Sequence, residues 1–213
     1  MPPLFVTFEG IDGSGKSTHL KRAAARLESL GVPLRVTHEP GGTPLGDAVR
    51  RVFLDPRLGT VDGRVELLLV FACRRQHLEE VIEPALAAGL HVLCDRFTDS
   101  TRAYQGYGRG VPLPLIDEVD RLATGGRVPD RTLLFDLDPE AAQARGQAPG
   151  RSGGVDRLDG EALDFYRRVR EGYREIAARE PGRFRVVDSA RETAATAAAV
   201  DAALAELLAG EGT

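Results

Sequence analysis

Short apolar runs alternate with longer amphipathic stretches along this chain. Leu4–Glu9 is β-branched and aromatic and stops at a glycine, the pattern of a buried strand. Ser17–Leu30 is rich in helix formers and closes at Gly31, a residue suited to the position just past a helix end. Leu34–Thr37 reads as a second strand and Pro44–Leu54 as a helix with proline near its start. Arg64–Ala88 reads as mostly helix, broken or bent near Pro84. Leu90–Cys94 and Arg131–Leu137 are further strands, with a helix over Leu115–Ala123 and another from Pro139 to about Arg145. Gly146–Val155 combines Gly, Pro, Ser and Gln, which predicts a mobile loop. A long amphipathic helix over Glu161–Arg179, a last strand over Phe184–Val187 and an alanine-rich helix over Glu192–Leu208 complete the pattern. Strands separated by helices imply parallel pairing through crossovers. The expected fold is therefore α/β: a parallel sheet of about five strands flanked by helices, with a lid over about 146–156. No repeat or long linker divides the 213 residues, so 1–213 is expected to form one domain.

Composition narrows the function classes. At 42 % apolar residues there is material for a core, which argues against disorder. A net charge of −4 argues against broad binding to nucleic acid or an anionic membrane. No apolar run reaches the ~18 residues of a membrane span, and the N-terminus has no basic n-region and no cleavage signal. Cys73 and Cys94 lack metal-ligand spacing and are too few for a disulfide framework, so they read as buried free thiols. A soluble, cytoplasmic protein without nucleic-acid or membrane partners is the expectation. Of 28 basic residues only Lys16 and Lys21 are lysines, which makes Lys16 conspicuous.

Its context explains it. Gly10-Ile-Asp-Gly-Ser-Gly-Lys-Ser17 matches G-x-x-x-x-G-K-[ST] in full, after an expected strand and before an expected helix. Gly10, Gly13 and Gly15 allow the loop to curl so that backbone N–H groups, including those of Ile11, Asp12, Ser14 and Thr18 nearby, converge on phosphate oxygens of ATP. The helix that follows turns its positive end to the same anion. Lys16 is expected beside the β- and γ-phosphates and Ser17 on magnesium. The absence of asparagine removes the N-K-x-D motif that reads guanine. A second strand ends in Asp95-Arg96, and ligands of open α/β sheets gather beyond such ends. Asp95 is therefore a second candidate for magnesium and Arg96 a phosphate binder, unless the two are an ordinary surface pair. Arg145, Arg151 and Arg157 lie in or beside the Gly-rich stretch. They suit a lid that closes on a transferred phosphoryl group and excludes water, or else are solvated arginines of an open loop.

Beyond the phosphate loop, Glu39-Pro-Gly-Gly-Thr43, Asp95-Arg-Phe-Thr-Asp-Ser-Thr-Arg-Ala-Tyr-Gln-Gly106 and Asp156-Arg-Leu-Asp159 resemble the thymidylate kinase family. The likeness runs from about residue 4 to 190. It implies a P-loop nucleoside monophosphate kinase fold that passes the γ-phosphoryl group of ATP to dTMP, with magnesium, by direct in-line transfer. The resemblance further implies that Asp12 faces the sugar and 5′-phosphate end of dTMP, that Glu39 and Pro40 line the nucleoside side, and that Arg50 and Arg96 bind the dTMP phosphate. It implies that Arg74 and Gln105 read the pyrimidine edge with Thr101 alongside, and that Tyr104 crowds the 2′ position. Position 13 is Gly rather than Arg, which resembles the bacterial type whose catalytic arginine sits in the lid, here Arg151 or Arg145. A homodimer through a helical face is also implied, and Leu67–Cys73 is a candidate part of it.

Two positions depart from the family pattern. His38 stands where an arginine usually precedes Glu-Pro-Gly-Gly. The phenylalanine usually found four residues before the pyrimidine-reading arginine is Val70 here, with Phe71 next door. Either Val70 with Arg74 or Phe71 with Arg75 forms the base-reading pair, since neighbours on a helix point ~100° apart. Two other functions compete: a kinase for a different small acceptor, and a nucleotide-dependent switch that binds partners.

Overall fold

A computed structural model describes residues 2–146, 157–158 and 161–209 of the chain. The strands β1 (Phe5–Glu9), β2 (Leu34–His38), β3 (His91–Asp95), β4 (Arg131–Asp136) and β5 (Phe184–Asp188) form one parallel sheet in the order β2-β3-β1-β4-β5. The helices are α1 (Lys16–Ser29), α2 (Pro44–Phe53), α3 (Gly63–His77), α4 (Glu83–Ala87), α5 (Thr98–Thr101), α6 (Leu113–Thr124), α7 (Pro139–Gly146), α8 (Leu163–Arg179) and α9 (Thr193–Ala209). Each lies where the periodicity places it, with ends shifted by one or two residues except as follows.

Between α3 and α4 the chain does not simply break at Pro84. A π-helical turn over Leu78–Ile82 comes first, and α4 begins with Pro84 in its first turn. Pro84 has no N–H to give to the carbonyl four residues back, and the widened turn upstream accommodates that. The second difference is helix where none is expected: α5 continues into a π-helical stretch, Arg102–Gly108. Its sequence is polar and carries two glycines, so it lacks an apolar stripe. The tertiary structure supplies the reason, because α8 packs along one side of it and a cleft lies on another.

Every residue of β1 is buried, as a central strand flanked on both sides and both faces requires. On one face Val6, Phe8, Leu133 and Phe135 pack against Leu20 and Leu27 of α1 and Val200 and Leu204 of α9. On the other, Leu134 and Phe184 join Phe165, Val169 and Ile176 of α8 and Leu67 and Phe71 of α3. β1 lies between β3 and β4, so the chain crosses over β1 between forming β3 and β4. Strand order reverses there, which opens a crevice beyond the carboxyl ends of β1 and β3.

Candidate active site

The loop after β1 is drawn tightly onto its neighbours. Gly10 and Gly13 have φ of 142° and 82°, where side chains are disfavoured. A Cβ on Gly10 would stand 2.6 Å from the Phe135 carbonyl oxygen, and one on Gly13 2.7 Å from that of Ala142. Gly15 precedes α1, whose first turn contains no acidic residue, so the positive end of the helix is not neutralised from within. Lys16 is buried, with Nζ 3.5 Å from Asp12 Oδ1 and 3.6 Å from Asp95 Oδ1. The Ser17 hydroxyl donates to Asp95 Oδ2. Asp95 Oδ1 is buried and has no hydrogen-bond partner. Ile11 turns into the core, while Thr18 is exposed on the first turn. A helix N-terminus, a lysine and a hydroxyl converge beside a carboxylate oxygen that lacks a hydrogen bond, an arrangement able to receive a phosphate chain with its counter-cation.

Beyond β3, Arg96 has φ 75°, the one non-glycine residue with positive φ among the described residues. That conformation costs about 1–3 kcal/mol. A dense network holds it. Arg96 Nη2 donates to Asp12 Oδ1 at 2.7 Å and Tyr104 Oη at 3.2 Å, and Nη1 donates to the Gly10 carbonyl at 3.0 Å and to Ser100 Oγ at 3.1 Å. Glu9, fully buried at the end of β1, ties down the same turn. It accepts the Phe97 N–H at 2.7 Å and the hydroxyls of Ser100 and Tyr173 at 2.5 and 3.0 Å. Asp12 is held well below the usual carboxylate range: burial opposes its charge, but Arg96 and Lys16 outweigh it.

Burial, and then the nearby Asp99 carboxylate, push Glu9 up from 4.5 to about 7. A raised acid binds its proton more tightly in the folded chain, so this group's contribution to stability falls as pH rises between those values. Glu9→Gln removes the ionisation. Its stability relative to wild type is expected to improve by about 2–3 kcal/mol between pH 5 and 7.5, measured by urea unfolding. A difference independent of pH would contradict the raised value.

The crevice widens into an open cleft. Glu39 and Pro40 line it from the end of β2, Arg50 from α2, and Val70 and Arg74 from α3. Thr101, Tyr104 and Gln105 line it from the helix after Arg96, and Asp12 and Arg96 from the phosphate side. Arg74 is 2 % exposed and clamped: Nε donates to Glu39 Oε2 at 2.7 Å and Nη2 to Thr101 Oγ1 at 3.0 Å. His77 bonds the other Glu39 oxygen at 2.9 Å and Thr37 Oγ1 at 2.6 Å. Nη1 of Arg74 is buried without a hydrogen-bond partner, a free donor on a residue that lines the cleft. The Tyr104 hydroxyl donates to Asp12 Oδ2 at 3.1 Å, and Arg50 Nη1 donates to the Pro40 carbonyl at 2.9 Å.

Helix direction sends Val70 and Phe71 to different surroundings. Val70 lines the cleft, whereas Phe71 is buried in the core with its ring 4.7 Å from the Arg74 guanidinium. Phe71 therefore braces Arg74 from behind, and Arg75 instead pairs with Glu79 on the exposed side. His38 lies 3.6 Å from Asp47, a loose contact between two half-exposed side chains. Arg145 donates to the Ser189 carbonyl at 2.6 Å, across from α7 to the end of β5, and does not line the cleft. Arg157 is buried, ion-paired to Glu66 at 2.7 Å and bonded to the Phe53 carbonyl at 3.1 Å, so it anchors rather than reaches for a phosphate. Arg151, Asp156 and Asp159 lie outside the described residues.

Several participants escape the sequence reading. Phe53, Phe97, Ser100 and Leu158 also line the cleft, and Glu9, Glu66 and Tyr173 hold its lining in place. Glu9 and Ser100 sat inside or beside quoted motifs. Tyr173 carries no signal, being one aromatic of an amphipathic helix. The apolar stretch Leu67–Cys73 divides: Leu67, Val70, Phe71 and Cys73 are buried, while Leu68 is 61 % exposed.

Residues 8–200 match the family model for thymidylate kinase. The chain belongs to the thymidylate kinase family. It is 50 % identical over 187 residues to the thymidylate kinase of Pelotomaculum thermopropionicum, covering 88 % of this chain and 86 % of that one. With the thymidylate kinase of Solidesulfovibrio magneticus it shares 48 % identity over 209 residues, 96 % of this chain and 100 % of the other. The crystal structure of thymidylate kinase from Ehrlichia chaffeensis superposes with a TM-score of 0.77 at 34 % identity, over 96 % of this chain and 100 % of that one. The P-loop nucleoside monophosphate kinase architecture is thus shared by a thymidylate kinase that departs at two of every three positions. Within this thymidylate kinase family chain, the residues that meet at the cleft come from separate segments of the sequence. In this chain the glycine-rich loop and the cleft adjoin through Asp12 and Arg96.

Proposed function

We propose that this protein transfers the γ-phosphoryl group of ATP to dTMP, giving ADP and dTDP for dTTP synthesis. The observation that carries the reading is the junction at Arg96. One guanidinium stands between the phosphate loop, through Gly10 and Asp12, and the cleft lined by Arg74 and Gln105. A donor phosphate on the loop and an acceptor phosphate at the cleft mouth would meet there. The acceptor oxygen attacks in line, and no side-chain nucleophile is required, because that oxygen is already largely ionised near neutral pH. Catalysis then consists of positioning and charge neutralisation.

Gly10, Ile11, Asp12, Gly13, Ser14, Gly15, Lys16, Ser17 and Thr18 are proposed to hold the ATP phosphates. Asp12, Glu39, Pro40, Arg50, Val70, Arg74, Arg96, Thr101, Tyr104 and Gln105 are proposed to hold dTMP. Arg151, with Arg145, is proposed to supply lid charge to the transferred group. Asp95 Oδ1, buried without a hydrogen bond beside Ser17, fits Mg²⁺, which keeps phosphate and water ligands and needs only one or two from protein. When bound there, magnesium would neutralise charge on the bridging phosphate oxygens. The described residues contain no group of three or more His, Cys, Asp or Glu side chains arranged for a metal. No described helix is long and apolar enough to cross a membrane. We propose a cytoplasmic homodimer. Val65 and Leu68 of α3 and Leu45 and Val52 of α2, all about half exposed or more, are the apolar surface for it.

The test is coupled ADP release with ATP and magnesium, comparing dTMP, dUMP, dCMP, AMP and no acceptor. dTMP is expected to turn over fastest and dUMP within about 200-fold of it, since one methyl is worth only ~1–3 kcal/mol. ADP release independent of acceptor would overturn the reading in favour of a nucleotide-binding module.

A further inference from the structure

Glu66, in the first turn of α3, has a fully buried side chain whose two oxygens face different partners. Oε1 pairs with Arg157 Nη1 at 2.7 Å and Arg109 Nη2 at 3.0 Å. Oε2 accepts from Gln105 Nε2 at 2.9 Å. Arg109 Nε straddles both, 3.2 and 3.3 Å away. The simplest role for the cluster is to balance one buried and one partly buried arginine, Arg157 and Arg109. The Gln105 contact does more than that.

A primary amide has one accepting and one donating end, and only its partners decide which way it points. The Glu66 carboxylate, already holding two guanidinium groups, offers Gln105 an acceptor. The Gln105 NH₂ therefore turns to Glu66, and its Oε1 is left as the polar atom for the cleft that Gln105 lines. Arg74, on the same cleft, has Nη1 free as a donor. One acceptor and one donor match a pyrimidine edge with a ring N–H beside a carbonyl, as in thymine and uracil. Cytosine carries the opposite pattern, a ring nitrogen acceptor beside an amino donor.

We propose that Glu66 is a positioning residue for acceptor selectivity: it locks the Gln105 carboxamide in the orientation that accepts a ring N–H and so excludes cytosine. The proposal rests on the dTMP kinase reading above. It also explains why a carboxylate, and not an amide of the same shape, suits position 66. In Glu66→Gln the two arginines retain the remaining oxygen, because they can only donate. The new NH₂ then faces Gln105, which must turn its own oxygen to meet it and present its NH₂ to the cleft.

The test compares kcat/KM for dTMP, dUMP and dCMP in wild type, Glu66→Gln, Gln105→Ala and the double variant. In Glu66→Gln the dTMP:dCMP ratio is expected to fall at least about tenfold while dTMP:dUMP stays unchanged, since thymine and uracil share the edge. Gln105→Ala keeps the Glu66–arginine cluster and is expected to lose the dTMP:dCMP preference as well. Adding Glu66→Gln to Gln105→Ala should leave the ratio where it is, because the carboxylate acts through the amide. A folded Glu66→Gln enzyme that slows equally with all three acceptors would reduce Glu66 to a structural charge and overturn the proposal. Should that variant not fold, Gln105→Ala with a wild-type dTMP:dCMP ratio would overturn it independently. Failure of the wild type to turn over dTMP at all would instead sink the kinase reading.

Discussion

Lys16→Ala is expected to lower kcat by on the order of 10³-fold while the fold survives. The ammonium lies between Asp12 and Asp95, 3.5 and 3.6 Å from their nearer oxygens. Neither contact is a short hydrogen bond, so the charge is held in readiness rather than consumed by the protein. A phosphate chain on the loop would draw it away from the carboxylates. Without it, one positive charge is lost where Asp12 and Asp95 face the most negative part of the substrate, with Arg96 still on Asp12, and the penalty is greatest when charge moves onto the bridging oxygen. The loss should therefore fall on kcat more than on the KM for ATP, because it acts where charge develops rather than where ATP is first held. A ~10³-fold loss corresponds to about 4 kcal/mol of transition-state stabilisation. Steady-state kinetics at saturating ATP and dTMP measure it, with thermal unfolding as the control for fold. A kcat within about tenfold of wild type would remove Lys16 from the reaction.

Arg96→Ala is the second large effect, and it divides between activity and stability. The guanidinium makes bonds to Asp12, Gly10, Ser100, Tyr173 and Tyr104, and its removal leaves Asp12 without its shortest partner. Asp12 is about one-third exposed, so water can reach it, and the stability loss is expected at about 1–3 kcal/mol. The dTMP KM is expected to rise on the order of 10²-fold, the scale of losing one charge-assisted phosphate contact or two. Backbone strain gives an internal check. With φ at 75°, Arg96→Gly should be more stable than Arg96→Ala by about 1 kcal/mol, although both lose activity alike. Equal stability of the two would mean the turn relaxes when the side chain is lost. A dTMP KM unchanged in both would move the acceptor phosphate away from Arg96.

The local elements were legible because each has its own period. Helix α8 carries an amphipathic pattern and β4 a short apolar run, Leu133–Phe135, and both form where expected. Thr98–Gly108 was not legible as helix, because its polar residues face a cleft and one another instead of a core. The Val70–Phe71 ambiguity is of another kind: two neighbours on one helix differ only in direction, and direction is set by what α3 packs against. Arg157 shows the same limit. In sequence it is one arginine of a Gly-rich stretch, while in the fold it is buried against Glu66 and Phe53.

By itself the sequence determined the α/β class, the phosphate loop and the family, since all three are written in short-range patterns of spacing and residue type. The tertiary structure decided the rest. It placed Glu9 beneath Arg96, put Val70 rather than Phe71 on the cleft, and joined Glu66 to Gln105 across 39 positions of chain. Such pairings depend on which side chains face each other after the sheet has formed, and a buried polar group takes its orientation, charge and role from those partners rather than from its neighbours in sequence.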